Sequence, residues 1–282
     1  MGNVPLTVWI AATLAAVGTI VLCAALWFDW LFEIPTAVNT VSMVEHLGSR
    51  SVLAIFAHPD DETLAAGALA DAGSRAAISV RTITLTRGES GYSESYVSRK
   101  EDLALVRESE LRRYGFALGI DSQEVWDYPD GRLGEIEARG IIDRLVERIR
   151  SLRPDLVLTF DPAGGYNGHA DHRAVGRMTT EAVRAGLDQA YKPELGAAHR
   201  PTHIAYVLAP VRAFSTIGGP ELRAAALAQP AANVSVRVEP RLRILGWRIH
   251  ASQRLDRAYP LPGWFLFDFW DKEHYAVFEP DR

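Results

Sequence analysis

Ser51-Val52-Leu53-Ala54-Ile55-Phe56-Ala57, followed at once by His58-Pro59-Asp60-Asp61-Glu62, is the stretch on which the fold turns. A short uncharged run, closed abruptly by a proline and acids, reads as a strand buried on both faces. Such strands belong to parallel sheets covered by helices. Outward from it, strands and helices alternate. A helix is expected over about 61–72, a strand over 77–85 and a Gly/Ser-rich loop over 86–98. A long helix over 99–118 should end at Gly119. A short strand at 124–127, a helix over 135–152 stopped by Pro154, and a second buried strand at 155–160 follow. Beyond lie a helix over 171–186, strands at 203–208 and 234–238, an Ala-rich helix near 221–228 and a last helix over about 242–255. This order predicts an α/β fold, a Rossmann-like three-layer domain with a mostly parallel sheet.

The N-terminus has a different character. Gly2 to Phe28 carries no charged side chain, and Val4 to Phe28 is almost continuously apolar. A helix needs roughly 20 such residues to cross a bilayer. Trp9 near one end and Trp27 and Trp30 at the other suit interfacial belts. A cleaved signal peptide would have a basic start and a shorter apolar core of about 7–15 residues. The predicted organisation is therefore one transmembrane helix over 1–28, a linker over 29–50 and one α/β domain over 51–282. In the linker Ile34, Val38, Val41, Met43 and Leu47 recur at near-helical spacing, as in a short amphipathic helix. The first Arg is Arg50, so the charge rule has little to count, with a lean toward a cytoplasmic domain on a single-pass anchor.

The formal net charge is −5, with arginines scattered among acids, which argues against a nucleic-acid partner. The one cysteine, Cys23, lies in the apolar segment, so no internal disulfide is possible. Any metal must be held by histidine and carboxylate.

In an open α/β sheet, ligands bind beyond the carboxyl ends of the strands. Two polar clusters fall there: Ala57-His58-Pro59-Asp60-Asp61-Glu62 and Gly168-His169-Ala170-Asp171-His172. Imidazole and carboxylate together suit Zn²⁺, which in catalytic sites keeps three protein ligands and one open position. A spare carboxylate can take a proton from water, and a spare imidazole can stabilise an oxyanion. Which of Asp60 and Asp61 would bind metal stays open at this level, and Asp60, Asp61 or Asp171 could instead cap a helix.

The chain resembles the LmbE-like/PIG-L deacetylases, a family that includes N-acetylglucosaminyl-phosphatidylinositol de-N-acetylase. AHPDDE at 57–62 looks like its first motif and GHADH at 168–172 like its second, with Ala170 where proline is usual. Thr86-Arg87-Gly88-Glu89, the helix from Arg107 to Ile120, Asp130-Gly131 and His250-Ala251-Ser252-Gln253 are similar to weaker family motifs. The resemblance covers about 51–255. It implies His58, Asp61 and His172 as zinc ligands, with ferrous iron as the cellular alternative. It implies Asp60 as general base, His169 as oxyanion or leaving-amine partner, and Asp171 as the residue that orients a histidine. Arg107, Asp130, Tyr166, Glu89 and His250 are candidates to bind substrate, and Arg107 reads equally well as a salt bridge to a neighbouring acid. The activity implied is hydrolysis of the acetamide of an N-acetylglucosamine-type glycoconjugate, soluble or lipid-linked.

Two other readings stay open. One is an amidase for a larger thiol-cofactor conjugate; the other is a silent, membrane-tethered glycan-binding module. A dinucleotide-binding domain would carry G-x-G-x-x-G after the first strand, where this chain has His-Pro-Asp-Asp. The aromatics Trp264, Phe265, Phe267, Phe269 and Trp270 fit a sugar platform, a membrane face or core packing.

Overall fold

The computed structural model describes residues 5–92, 97–254 and 261–280. Among them eight strands form one sheet: β1 (Val38–Thr40), β2 (Ser51–Phe56), β3 (Ser79–Thr86), β4 (Ser122–Tyr128), β5 (Leu156–Phe160), β6 (His203–Leu208), β7 (Val234–Arg237) and β8 (Lys272–Phe278). Their order is β1-β7-β8-β6-β5-β2-β3-β4, and only β8 runs against its neighbours. The helices are α1 (Leu6–Phe32), α2 (Met43–Leu47), α3 (Ala66–Gly73), α4 (Leu103–Leu118), α5 (Ala138–Leu152), α6 (Gly165–Gly168), α7 (Ala170–Leu187), α8 (Val211–Ile217), α9 (Pro220–Ala228), α10 (Pro240–Ile249) and α11 (Gly263–Phe269).

β2 lies at the centre, paired parallel with β3 on one side and β5 on the other, which explains its unbroken apolar run. From β2 the chain winds outward through β3 and β4, then returns to β5 and winds the other way through β6. The reversal opens a crevice beyond the carboxyl ends of β2 and β5, where an open α/β sheet binds ligands. Both polar clusters are delivered there. The expected helix over 61–72 is split into a 3₁₀ turn, Asp61–Ala65, and then α3. The helix expected over 242–255 is α10, which ends at Ile249 and is followed by a 3₁₀ turn over Ala251–Gln253; Leu255 lies outside the described residues, and α11 is a further helix beyond it.

Residues 29–50 differ from the expected linker. α1 continues to Phe32, and Val38–Thr40 pairs in register with Val234–Val236, so this region is built into the domain. The near-helical stripe is broken because its Val38 belongs to an edge strand, while Met43 and Val44 bury in the core from α2. β8 is a strand that periodicity did not reveal. It carries Lys272, Glu273 and His274 into the middle of the sheet, where tertiary partners satisfy the last two.

α1 is long and apolar enough to cross a membrane, and its apolar span is exposed. Its C-terminal turn is not loose. Leu31 and Phe32 are buried, and Phe28 meets Phe265 and Phe269 of α11 at 6.1 and 5.4 Å between ring centres. Phe32 stacks on Trp270 at 5.5 Å, and the Arg212 guanidinium lies 4.7 Å from the Trp30 ring centre. The aromatic cluster near the C-terminus is thus divided. Phe267 and Trp270 are core, Phe265 and Phe269 receive α1, and Trp264 is exposed.

His274 fastens the same junction. Its Nε2–H donates to the Phe32 carbonyl at 2.9 Å and its Nδ1 accepts from Ser235 Oγ at 2.8 Å. The ring is fully satisfied when neutral, and burial pushes its pKa down to about 4. The unfolded chain, with an ordinary histidine near pH ~6.5, binds a proton that the folded chain refuses. Stability from this group is therefore complete above about pH 6.5 and is lost as pH falls toward 4, by about 3 kcal/mol in all. Thermal unfolding of His274→Gln beside wild type across that range is expected to show the variant losing less stability in acid. Parallel pH profiles would refute the assignment.

Candidate active site

The site begins with the turn after β2. The Ala57 and His58 N–H groups both donate to Asp61 Oδ2, at 3.1 and 2.8 Å, so the carboxylate folds back over the strand end. Its other oxygen, Oδ1, lies 3.0 Å from His172 Nε2. His172 is on α7, reached after β5, and its ring stacks on Phe160 with centres 4.1 Å apart. The two clusters, 110 residues apart in sequence, meet in one buried knot.

Tautomers follow from the partners. His172 Nδ1 faces the Gly165 carbonyl at 3.1 Å, so it carries the proton and Nε2 presents a lone pair. His58 Nε2 faces two carboxylates, Asp130 at 3.1 Å and Asp171 at 3.2 Å, so in the neutral ring it is the protonated nitrogen. That leaves His58 Nδ1 as a lone pair, 3.3 Å from His172 Nε2 and 3.6 Å from Asp61 Oδ2. Three donor groups thus converge: His172 Nε2 lies 3.0 Å from Asp61 Oδ1 and 3.3 Å from His58 Nδ1, while the other Asp61 oxygen, Oδ2, lies 3.6 Å from His58 Nδ1. A tetrahedral ion about 2.1 Å from each donor would set them near ~3.4 Å apart. The donor types suit a divalent cation, and the two separations made by His172 Nε2 lie near that spacing.

Such a knot demands positive charge from some source. Burial works against ionising His58, but the Asp61 charge and the bonds to Asp130 and Asp171 hold its imidazole well above the ordinary value. Burial likewise opposes an ionised Asp61, and the His172 and His58 rings nevertheless hold it well below the usual carboxylate range. A metal ion entering the knot therefore competes with a proton.

Asp171 and Asp130 stand behind His58. Asp171 also accepts from the Gly131 and Leu133 N–H groups at 2.7 and 2.9 Å, and Asp130 from Ser90 N–H at 2.9 Å. This is the carboxylate–imidazole support that orients metal-binding histidines. Asp130, expected among substrate contacts, is engaged with His58. Asp171 does not cap α7; His169 does, its Nδ1 accepting from Asp171 N–H at 3.2 Å. That bond leaves the neutral His169 proton on Nε2. Burial and the neighbouring His172 and His58 rings push the His169 pKa below its ordinary value. His169 is exposed at the cavity wall, its ring centre 4.8 Å from that of His58.

Asp60 follows a different rule. Its φ is 122°, a conformation costing a non-glycine residue on the order of 1–3 kcal/mol. Its Oδ2 pairs with Arg107 Nη2 at 3.1 Å. Arg107, only 4% exposed, also donates to the Pro59 and Gly88 carbonyls, so both its terminal nitrogens are engaged by the protein. Gly88 (φ 70°) is required there, since any Cβ would collide with that guanidinium. Of the remaining expected substrate contacts, Tyr166 lines the cavity and is 4% exposed, while Glu89 accepts from Asp130 N–H at 2.9 Å. His250 is fully buried against Glu62 and does not face the cavity. Sequence reasoning missed the apolar wall of Phe214, Leu222 and Trp247, whose residue types carry no signal outside their fold. The cavity holds about 480 Å³, within the range of small-molecule sites.

The model of the PIG-L family, described as GlcNAc-PI de-N-acetylase, matches residues 53–183, which contain every donor of the knot. This region is a PIG-L family domain. The chain is 34% identical over 137 residues to a probable N-acetyl-alpha-D-glucosaminyl L-malate deacetylase 2 of Bacillus anthracis, covering 48% of this chain and 59% of that one. It is 32% identical to a 1D-myo-inositol 2-acetamido-2-deoxy-alpha-D-glucopyranoside deacetylase of Catenulispora acidiphila, over 53% of each. The chain thus spans little more than half the length of these curated relatives. The N,N'-diacetylchitobiose deacetylase from Pyrococcus horikoshii shares the fold, with a TM-score of 0.66 at 20% identity, over 84% of this chain and 87% of that one.

The PIG-L domain offers a direct test of its donor set. Equilibrated with Zn²⁺ and desalted, the full chain is expected to retain about one ion, and Asp61→Ala or His172→Ala close to none. His169→Ala should retain the ion. Equal retention by all four proteins, measured by elemental analysis, would exclude the knot as the metal site.

Proposed function

We propose that the protein hydrolyses the acetamide of an N-acetylglucosamine-type glycoconjugate, releasing acetate and a free amine. The observation that carries this reading is the convergence of His58 Nδ1, Asp61 and His172 Nε2 beside the clamped Asp60 carboxylate, within a PIG-L domain. His58, Asp61 and His172 would hold zinc, or ferrous iron in cells. The ion would supply Lewis-acid polarisation and acidify water in the site.

The protein's own groups do the rest. Asp60 accepts the proton of the attacking water, with Arg107 keeping the carboxylate aimed. Burial pushes the Asp60 carboxyl up from its ordinary value, against the pull of Arg107, and so raises its basicity toward working pH. His169, with its proton on Nε2, donates to the oxyanion that forms as the water oxygen bonds to the acetyl carbon. The C–N bond then breaks, and the amine leaves with a proton returned from Asp60 or His169. Tyr166 and the wall of Phe214, Leu222 and Trp247 cover the apolar faces of a sugar ring. α1 would act as a single-pass anchor, with the domain on the cytoplasmic face, within reach of soluble and lipid-linked sugars alike.

Asp60→Ala is the discriminating variant. It should keep about one metal ion per chain while acetate release from N-acetylglucosaminyl substrates falls by about 10²–10⁴-fold. Chelation should abolish activity in the wild type. A metal-loaded wild type that releases no acetate, yet binds N-acetylglucosaminyl ligands, would mark a silent glycan-binding module.

A further inference from the structure

Beneath the cavity runs a polar chain that the reaction does not use directly. The Asp60 N–H donates to Glu62 Oε2 at 3.0 Å. The Asp60 carbonyl accepts from Thr63 N–H at 3.0 Å and from Thr63 Oγ1 at 2.7 Å. Glu62 has its other oxygen, Oε1, 2.6 Å from His250 Nε2. Glu62 is 1% exposed and His250 0%, so neither reaches a ligand in the cavity.

His250 is delivered from the far end of the chain. It follows α10, its N–H bonded to the Gly246 carbonyl at 2.8 Å, and its ring stands edge-on to Tyr114 with centres 5.7 Å apart. Gly246 lets α10 press on the turn that bears Asp60, since a Cβ there would come 2.8 Å from Thr63 Cγ2 and 2.9 Å from Tyr114 Cζ. Tyr114 in turn donates to the Leu242 carbonyl at 2.8 Å. His250 and α10 lie outside the matched residues 53–183, whereas their partners Glu62, Thr63 and Tyr114 lie within them.

We propose that Glu62 and His250 are a positioning pair that holds the Asp60 backbone at positive φ and so aims its carboxylate. A non-glycine residue leaves that conformation unless its surroundings over-determine it. Glu62 grips the N–H side, Thr63 the carbonyl side, and Arg107 the carboxylate, and His250 fixes the gripping oxygen of Glu62. The inference rests on reading Asp60 as the base, and it makes residues 240–253 a working part of the site.

The test compares full-length wild type with Glu62→Ala, His250→Ala, the double variant and Glu62→Gln, each loaded with zinc. Glutamine keeps an oxygen for the Asp60 N–H and an amide N–H for the imidazole. Glu62→Ala and His250→Ala are expected to lose kcat by about 10–100-fold, as for a reacting group misplaced by about 1 Å. KM and metal content should stay near wild type. The double variant should be no worse than the poorer single, because the two act as one unit, and Glu62→Gln should recover most of the rate. Crystal structures provide a reading that needs no activity: Asp60 should abandon positive φ in Glu62→Ala but hold it in Glu62→Gln. Should Glu62→Ala fail to fold, His250→Ala carries the same readings. Unchanged kcat, loss of rate only in step with metal loss, or an unmoved Asp60 φ would overturn the pair. If the wild type releases no acetate the proposed reaction fails, and the Asp60 φ values alone decide the pair.

Discussion

The site depends on one imidazole being pulled from both sides. His58 gives Nε2–H to Asp130 and Asp171, so in the neutral ring it is Nδ1 that faces Asp61 and His172 as a lone pair. Neither acid is near His58 in sequence. Asp130 arrives after β4 and Asp171 at the start of α7, on the two sides of the sheet's reversal. The winding that places β2 between β3 and β5 therefore also sets the tautomer of the central histidine. A sheet with another strand order could carry the same motifs and present the wrong nitrogen.

That dependence explains what was legible in the sequence. β2 and β5 declared themselves because strands flanked by parallel neighbours are apolar throughout, and the polar clusters that follow them were read as one rim. Roles that hinge on distant partners were not legible. Asp130, Glu89 and His250 have the residue types of substrate contacts, yet their bonds run to His58, the Asp130 N–H and Glu62, while Arg107 makes the salt bridge to a neighbouring acid that its position also allowed. Only the fold reveals that these polar groups are paired with one another. β8 escaped for the same reason. Lys-Glu-His looks like a loop until Glu273 and His274 are seen to have buried partners. Val38, by contrast, fitted a helical stripe and joined a strand, because β7, almost two hundred residues later, offered a free edge.

The carboxylates around the knot illustrate how burial is tolerated. Asp171 is fully buried, yet it accepts two backbone N–H bonds and one from an imidazole. A buried charge without such partners would be costly; with them it becomes a rigid strut. Asp60 is less enclosed, its side chain 17% exposed, with a single guanidinium for company. The contrast separates the two groups by chemistry. The carboxylates behind His58 are saturated with donors, whereas Asp60, proposed above to exchange a proton, is not.

The strand absent from the sequence reading joins the two ends of this design. Adjacent residues of a strand point to opposite faces, and β8 uses two of them in succession. Glu273 accepts from the Gly67 and Ala68 N–H groups at 2.7 and 3.1 Å, binding the N-terminus of α3 just beyond the turn that bears Asp60 and Asp61. A carboxylate there also opposes the positive end of the helix dipole. His274, one residue on, holds the Phe32 carbonyl at the end of α1. The apolar helix and the turn of the site are thus fixed to opposite faces of one strand, about which neither can shift alone. The end of α1 is consequently not slack: it is held by the same strand that binds the start of α3 behind the turn of the site.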